Sequence, residues 1–126
     1  MTQTIDQATI VDRYFSAWNE RDALARAEAV ANAFTDDARY CDPLADVTGH
    51  AAIASMMGAL QDQHAGLSLR VSSAIDAHHD LLRFGWEAVD AEGNVTVAGI
   101  DIAKVSDDGR VRSLHGFFGE TPPAAV

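Results

Sequence analysis

Three side chains of the sequence are candidates for acid–base chemistry: Tyr14, Asp42 and Asp101. Asp101 shares its side of a predicted strand with small and apolar residues, which are Val95, Val97, Gly99, Ala103 and Val105. A lone carboxylate on an apolar face is costly unless it is paired or protonated. Burial should therefore raise the pKa of Asp101 and keep it a neutral acid near pH 7. The alternative is that a bulge turns Asp101 to solvent, because one extra residue reverses the alternation of a strand.

Tyr14 and Asp42 are candidates for a hydrogen-bond donor and a proton acceptor, respectively. Tyr14 lies on the apolar face of a predicted helix, where a buried phenol usually finds a hydrogen-bond partner. The alternative is an ordinary tyrosine of the core. Asp42 lies in the segment Tyr40-Cys41-Asp42-Pro43, and Asp-Pro is a common start of a turn. Asp42 is therefore either a base that faces a pocket or a residue that only begins a turn.

The first half of the sequence predicts three helices, because apolar residues recur there at helical spacing. Their apolar faces are Ile10, Val11, Tyr14, Phe15 and Trp18 in the first helix; Leu24, Ala27, Val30, Ala31 and Phe34 in the second; and Ile53, Met56, Met57 and Leu60 in the third. Asp22 is placed to cap the second helix, which we expect to end at Asp36-Asp37. The third helix should run from about residue 49 to 64.

The second half predicts four strands, because apolar residues alternate there with polar or small ones. The alternating sets are Leu67, Leu69, Val71, Ser73 and Ile75; Leu82, Phe84, Trp86 and Ala88; the face of Asp101; and Val111, Ser113, His115 and Phe117. Three helices followed by antiparallel strands indicate an α+β fold. Helices on one face of a strongly curved sheet would leave a cavity between the layers, and that cavity is the natural ligand site.

Four segments of the sequence together resemble the bacterial ketosteroid isomerases, a branch of the NTF2-like/SnoaL-like superfamily. They are Arg13-Tyr14, the run Asp36-Asp37-Ala38-Arg39-Tyr40-Cys41-Asp42-Pro43, Gly99-Ile100-Asp101 and Phe118-Gly119-Glu120. The resemblance covers almost the whole chain. It implies a single cone-shaped domain over residues 1–126, in which three N-terminal helices pack on a strongly curved, mostly antiparallel sheet and enclose an apolar pocket.

The resemblance also implies roles for the three candidate residues. It assigns Tyr14 as a donor to an oxyanion, Asp42 as the base that moves the proton, and Asp101 as a second, protonated oxyanion donor. The family is a known case of a carboxylic acid kept neutral by its apolar site. The reaction implied is cofactor-free proton transfer alpha or gamma to a carbonyl of a steroid-like or polyketide-like substrate. Phe34 and Met57 depart from the pattern, since some of these enzymes have supporting tyrosines there.

Large apolar side chains are the candidates to line the pocket, although each could instead belong to the core. They are Trp18, Met56, Met57, Leu60, Phe84, Trp86, Phe117 and Phe118. His115 is a possible auxiliary residue, because its strand could neighbour that of Asp101. A histidine beside an acid could be the second acid–base group of a cyclase or dehydratase. The alternative is a histidine of the core or of an interface.

Composition excludes several classes of partner. The formal net charge is −10, from 19 acidic and 9 basic side chains, and no basic run is present. Such a surface repels phosphate backbones and anionic membranes, so we expect neither as a partner. Cys41 is the one cysteine, and no Cys/His spacing typical of a metal site occurs, so we expect no metal and no cofactor. The sequence lacks a signal peptide and a long apolar run, which favours a cytoplasmic protein.

The resemblance implies a homodimer. The sequence agrees, because the predicted outer faces of the late strands carry Ile100, Ile102, Leu114 and Phe118, which is more apolar surface than a solvated sheet usually shows. Three functions stay open: an isomerase of the ketosteroid-isomerase type, a SnoaL-like polyketide cyclase or dehydratase, and a non-catalytic protein that binds small molecules.

Overall fold

A computed structural model describes residues 6–125 of the chain. Its elements, in chain order, are α1 (Gln7–Asn19), α2 (Ala23–Ala33), β1 (Phe34–Cys41), β2 (Asp46–Thr48), α3 (His50–Gln63), β3 (Ser68–Val71), β4 (Asp76–His78), β5 (Leu81–Val89), β6 (Val95–Val105) and β7 (Val111–Phe118). The three helices pack on one face of the sheet, which confirms the predicted α+β class. No helix within these residues is long and apolar enough to cross a membrane.

The described strands form one sheet in the order β2-β1-β7-β6-β5-β3, with β4 pairing to the start of β5. Neighbours are antiparallel except for β1 and β7, which are parallel. The register shifts within the pairs β1–β7, β5–β6 and β6–β7. Such irregularities bend strands and increase their twist, so they help the long strands β5 and β6 to curve around the helices.

Strand β1 is an element that alternation did not predict. We expected Phe34 to belong to the second helix and Asp36-Asp37 to end it, but the helix ends at Ala33. The buried positions of the strand are Phe34, Ala38 and Tyr40, and none of residues 35–37 is buried. Buried and exposed residues therefore do not alternate over the first half of the strand, and the sequence pattern does not reveal it. The strand places Asp42 at its end, beside β7, where Tyr40 lies opposite Leu114.

The buried face of α2 also differs from the expected one. Leu24 is 80% exposed and Ala27 is exposed, whereas Arg26 is buried with Val30 and Ala33. The guanidinium takes the inward position because it satisfies the carbonyl groups that follow α1. Its Nε donates to the carbonyl of Glu20 at 3.0 Å, and its Nη2 donates to the carbonyl of Arg21 and to Gln61 Oε1. Polar groups with this many partners can be buried at little cost.

The face of strand β7 that points toward the helices is the opposite of the one that the sequence predicted. Leu114 and Gly116 are buried, whereas Phe117 is 61% exposed and His115 and Ser113 lie on its side. The reason is a bulge: Lys104 pairs with Ser113 but Val105 pairs with Val111, so Arg112 is an extra residue. One extra residue reverses the alternation for the rest of the strand.

The predicted outer apolar surface is therefore corrected in two of its four residues. Ile100 and Ile102 do lie on the outer face, with Ile100 44% exposed and Phe117 opposite it in register. Leu114 and Phe118 lie on the inner face instead. The homodimer stays a prediction. The outer apolar surface that it would use includes Phe117 and lacks Leu114 and Phe118.

Arg26 should contribute more to stability than an exposed arginine. We expect Arg26→Met to lower the free energy of unfolding by about 2–4 kcal/mol, because it removes the buried guanidinium that donates to the carbonyls of Glu20 and Arg21 and to Gln61 Oε1. The matched control is Arg83→Met, since Arg83 forms an exposed ion pair with Asp76 and such pairs contribute about 0–1 kcal/mol. Urea unfolding of both variants is the measurement, and equal losses would contradict the assigned role of Arg26.

Candidate active site

A cavity of about 490 Å³ lies between the helices and the inner face of the sheet. It receives side chains from α1, α3, the end of β1 and the strands β3, β5, β6 and β7. Five of the predicted pocket residues line it: Trp18, Met56, Leu60, Trp86 and Phe118. The three acid–base candidates, Tyr14, Asp42 and Asp101, line the same cavity. The structure therefore brings together groups that are up to 87 residues apart in the chain.

The other pocket candidates lie elsewhere. Met57 is completely buried, on the side of α3 that packs into the core. Phe84 is buried too, and its ring packs edge-on against Tyr14 and Phe15 behind the cavity. Phe117 and His115 point away from the cavity because of the β7 bulge, and His115 Nε2 lies 3.1 Å from Ser113 Oγ on the outer face. The structure thus gives His115 no place in the cavity.

Tyr14 and Asp101 form a buried pair. The Tyr14 hydroxyl donates a hydrogen bond to Asp101 Oδ2 at 2.9 Å, and both residues are at least 96% buried. Burial, assisted by the charge of Asp42, raises the pKa of Asp101 to about 7, although the hydrogen bond from Tyr14 opposes this rise. Burial and the nearby Asp101 also raise the pKa of Tyr14. Near neutral pH, both groups can therefore hold a proton that they can donate.

Asp42 both begins a turn and faces the cavity. Its Oδ1 accepts hydrogen bonds from the backbone N–H groups of Leu44 and Ala45, at 2.8 and 2.9 Å, so it does begin a turn. Its Oδ2 accepts a hydrogen bond from the Tyr40 hydroxyl at 2.5 Å, and the side chain lines the cavity. An ionised carboxylate is an acceptor with about four lone-pair sites. Three donors therefore hold the group in place and leave acceptor capacity toward the cavity.

Gly116 allows the two carboxyl groups to lie close together. It lies opposite Asp101 in the pairing of β6 and β7. A Cβ at this position would lie 2.8 Å from Asp101 Oδ1 and 3.2 Å from Asp42 Cβ. Both distances are shorter than ordinary contacts, so only glycine leaves room for both side chains here. The two aspartates consequently flank one backbone position at the inner end of the cavity.

Aromatic rings fix the orientation of Tyr14. Phe15, Phe34 and Phe84 meet it edge-on, with ring centroids 5.1, 5.9 and 6.0 Å away. Phe34 packs against Tyr14 but has no hydroxyl that could donate a hydrogen bond to it, unlike the supporting tyrosine that some isomerases have at this position. The nearest second phenol is that of Tyr40, which adds to the rise in the Tyr14 pKa.

Sequence reasoning missed Tyr40 and Gly116 as site residues. Tyr40 precedes Asp42 by two positions, so both would share a face if the segment were recognised as a strand. That spacing was the available signal. Gly116 could not be found because the bulge in β7 hid its face, and because a glycine has no side chain whose polarity indicates where it points.

A curved sheet, three helices and a cavity with a neutral acid at its inner end define an NTF2-like fold with a candidate active site. Residues 11–114 match the family model of the SnoaL-like domain. The chain belongs to the SnoaL-like family.

Solved structures agree with this assignment. A proposed isomerase of the SnoaL-like family from Agrobacterium tumefaciens is 30% identical, with a TM-score of 0.85 over 90% of this chain and 97% of the other. An NTF2-like protein from Exiguobacterium is 19% identical, with a TM-score of 0.69 over 89% and 99% of the two chains. A proposed polyketide cyclase from Sinorhizobium meliloti is 21% identical, with a TM-score of 0.69 over 90% and 98%. The last two show the fold alone. No curated protein matches the chain.

The raised pKa of Asp101 predicts a specific dependence of stability on pH. The folded chain holds this proton up to about pH 7, whereas the unfolded carboxyl loses it near 3.8. Stability should therefore fall as pH rises between these values, by up to about 4 kcal/mol. Asp101→Asn removes the titrating group. The free energy of unfolding of the variant should therefore rise relative to that of the parent, by up to that amount, as the pH increases from 4 to 8.

Urea unfolding of both proteins across this pH range is the measurement, and the exposed Asp62→Asn is the matched control. A difference between parent and Asp101→Asn that stays constant from pH 4 to pH 8 would mean that Asp101 ionises in its ordinary range.

Proposed function

We propose that the protein is a cofactor-free enzyme that transfers a proton next to a carbonyl group of an apolar ligand, with the chemistry of the ketosteroid isomerase type. The observation that carries the proposal is the buried Tyr14–Asp101 pair, which shares the cavity with the carboxylate of Asp42. Two proton donors and one acceptor in one cavity are the groups that such a reaction needs. The 30% identical relative from Agrobacterium tumefaciens, a proposed isomerase, supports the same reading.

The proposed reaction begins with a β,γ-unsaturated ketone. Its carbonyl oxygen takes the hydrogen bond that Tyr14 otherwise donates to Asp101, and it accepts a second one from protonated Asp101. Asp42 removes a proton from the carbon next to the carbonyl, and the electron pair of the broken C–H bond moves to the oxygen through the new enolate. Two positioned donors can stabilise that oxyanion by several kcal/mol. Asp42 then returns the proton to the gamma carbon, so the double bond moves and no atom is gained or lost.

The cavity suits an apolar ligand of moderate size. Its volume of about 490 Å³ falls within the range of small-molecule sites, which is roughly 300–1,000 Å³. Its walls include the apolar side chains of Met56, Leu60 and Phe118. Tyr14, Asp42 and Asp101 form one polar end of the cavity, and the side chains of Gln63, His64, Asp90 and Thr96 also line it. A steroid-like or polyketide-like molecule would place its carbonyl group at the polar end and its apolar rings against the walls.

The placement of His115 favours one of the enzymatic alternatives. A cyclase or dehydratase that uses His115 as its second acid–base group would need that side chain in the cavity. His115 instead lies on the outer face beside Ser113. We therefore favour the isomerase, in which Tyr14, Asp42 and Asp101 suffice.

Binding of a phenolic steroid tests the oxyanion donors. Equilenin resembles the dienolate, so we expect micromolar binding by ultraviolet titration. Tyr14→Phe and Asp101→Asn should each weaken equilenin binding at least tenfold, or about 1.4 kcal/mol. The first variant removes one hydroxyl donor to the oxyanion, and the second removes the acidic proton of the other donor. His115→Ala, on the outer face, is the control and should bind like the parent. The assignment fails if no binding is seen or if both site variants bind as the parent does.

Turnover of a 5-ene-3-ketosteroid tests the base. Asp42→Ala should reduce kcat by at least a hundredfold and change equilenin affinity much less, because the base acts on the proton and not on the oxyanion. The control is Asp37→Ala, whose exposed side chain lies in β1 away from the cavity. A non-catalytic binding protein would show no turnover in the parent, and that result would sink the enzymatic proposal.

Gly116→Ala tests whether the two aspartates must lie this close together. The added methyl group would displace Asp101 Oδ1 and the Asp42 side chain, so we expect at least a tenfold loss of kcat/KM in a protein that still folds. Arg112→Ala, an exposed change on the same strand, is the control for general damage to β7. Full activity of Gly116→Ala would show that the carboxyl positions are not critical.

A further inference from the structure

The two carboxylate oxygens of Asp42 have different partners. Oδ1 accepts hydrogen bonds from the backbone N–H groups of Leu44 and Ala45, at 2.8 and 2.9 Å. Oδ2 accepts one from the hydroxyl group of Tyr40, at 2.5 Å, and from no other donor among residues 6–125. An ionised carboxylate has about four lone-pair sites, which is about two on each oxygen. The turn therefore occupies Oδ1, whereas Oδ2 keeps one lone pair that no described residue uses.

The unoccupied lone pair identifies the oxygen of Asp42 that can act as a base. A carboxylate accepts a proton only at a lone pair that is not already engaged, and on Asp42 that lone pair belongs to Oδ2. The side chain lines the cavity. A proton that moves from one carbon of the ligand to another must be carried in between by the base. The oxygen that would carry it is consequently the one to which Tyr40 is hydrogen-bonded.

The sheet and the contacts of its ring hold Tyr40 in place. In the sheet, Tyr40 pairs with Val47 on β2 and with Leu114 on β7, so its backbone is held from both sides. The residue is 4% exposed, and its ring packs edge-on against Trp18, with the ring centroids 5.7 Å apart. The hydroxyl group therefore has little freedom to move away from Asp42.

The hydroxyl group of Tyr40 is suited to donate a hydrogen bond and not to lose its proton. Burial, assisted by the hydrogen bond to Asp42 and by the charge of that carboxylate, raises the pKa of Tyr40. A hydrogen bond to an ionised acceptor is roughly twice as strong as one between neutral groups. Tyr40 therefore stabilises the ionised form of Asp42 more than the protonated form, and this favours the return of the proton to the ligand.

We propose that Tyr40 is a positioning residue that holds Oδ2 of Asp42 as the proton-carrying atom and keeps water from that oxygen between the two proton transfers. The inference rests on the proposed function. In the first transfer, a C–H bond of the ligand breaks and an O–H bond forms at the unoccupied lone pair of Oδ2. In the second, that O–H bond breaks and the proton goes to the gamma carbon. Tyr40 occupies the other lone pair throughout and keeps its own proton.

Hydrogen tracing in heavy water tests this role. A 5-ene-3-ketosteroid is turned over in heavy water, and mass spectrometry measures the deuterium at the gamma carbon of the first product formed. We expect the parent to return the hydrogen of the substrate in most turnovers. Tyr40→Phe opens the second lone pair of Oδ2 to water, so the deuterium content should at least double. The variant should also lower kcat at least fivefold and change KM less than threefold, because Tyr40 orients the base and does not bind the carbonyl group.

Thr35→Val is the matched control. The Thr35 hydroxyl group also donates to an aspartate two residues further along β1, with Oγ1 3.2 Å from Asp37 Oδ1, but neither residue lines the cavity. The variant removes a hydroxyl–carboxylate hydrogen bond from the same strand and should keep the kcat, KM and deuterium content of the parent. A Tyr40→Phe variant with the deuterium content of the parent overturns the inference whatever its kcat, since a structural defect alone slows the reaction without admitting solvent hydrogen.

The outcomes distinguish this inference from the proposed function. If the parent does not turn over the ketosteroid, the proposed function fails. If the parent is active but Tyr40→Phe keeps its deuterium content, only the inference fails, and Tyr14, Asp42 and Asp101 keep their proposed roles. Should Tyr40→Phe not fold, the parent decides: substrate hydrogen in most product molecules supports the inference, and product that is mostly deuterated at the gamma carbon overturns it.

Discussion

The buried hydrogen bond between Tyr14 and Asp101 is the interaction around which the cavity is organised. It joins α1 to β6 across 87 residues of sequence. A carboxyl group in this position has lost its water, so the neutral form and the phenol beside it keep the cost of burial tolerable. Two neighbouring positions must accordingly stay small, because Gly99 lies under Trp86 and Gly116 lies against Asp101.

Two aspartates of one cavity differ because their surroundings differ. Asp101 lies mid-strand on an apolar face, where burial favours the protonated form. Asp42 lies at the end of β1, where a turn supplies two backbone N–H groups and Tyr40 supplies a hydroxyl. In the proposed reaction, Asp101 donates a hydrogen bond from its proton and Asp42 accepts a proton. Such a separation of roles between similar groups is how acid and base can operate in the same site near neutral pH.

The sequence predicted the elements whose periodicity is uninterrupted and failed where a local irregularity intervenes. The face of α1 was correct, and so was that of β6 from Val97 onward, although a bulge at Thr96 moves Val95 to the other face. These faces place Tyr14 and Asp101 in the cavity. The face of β7 was wrong because Arg112 is an extra residue in the strand, which sends His115 outward. Strand β1 was missed because its residues 35–37 are polar and not buried, and Tyr40 was missed with it. Arg26 contradicts the rule that charged side chains stay outside, since its partners are carbonyl groups that no sequence pattern reveals.

The features of the cavity that cost stability are also those that could serve chemistry. A buried carboxyl and a glycine in the middle of a strand would each be replaced by apolar side chains if folding alone mattered. The packing elsewhere compensates for them: three aromatic rings surround Tyr14, and Arg26 and Gln61 together satisfy the carbonyl groups of Glu20 and Arg21 after α1. Because these costs converge on one cavity and not on scattered positions, a requirement of ligand binding explains them better than accidental imperfection of the core.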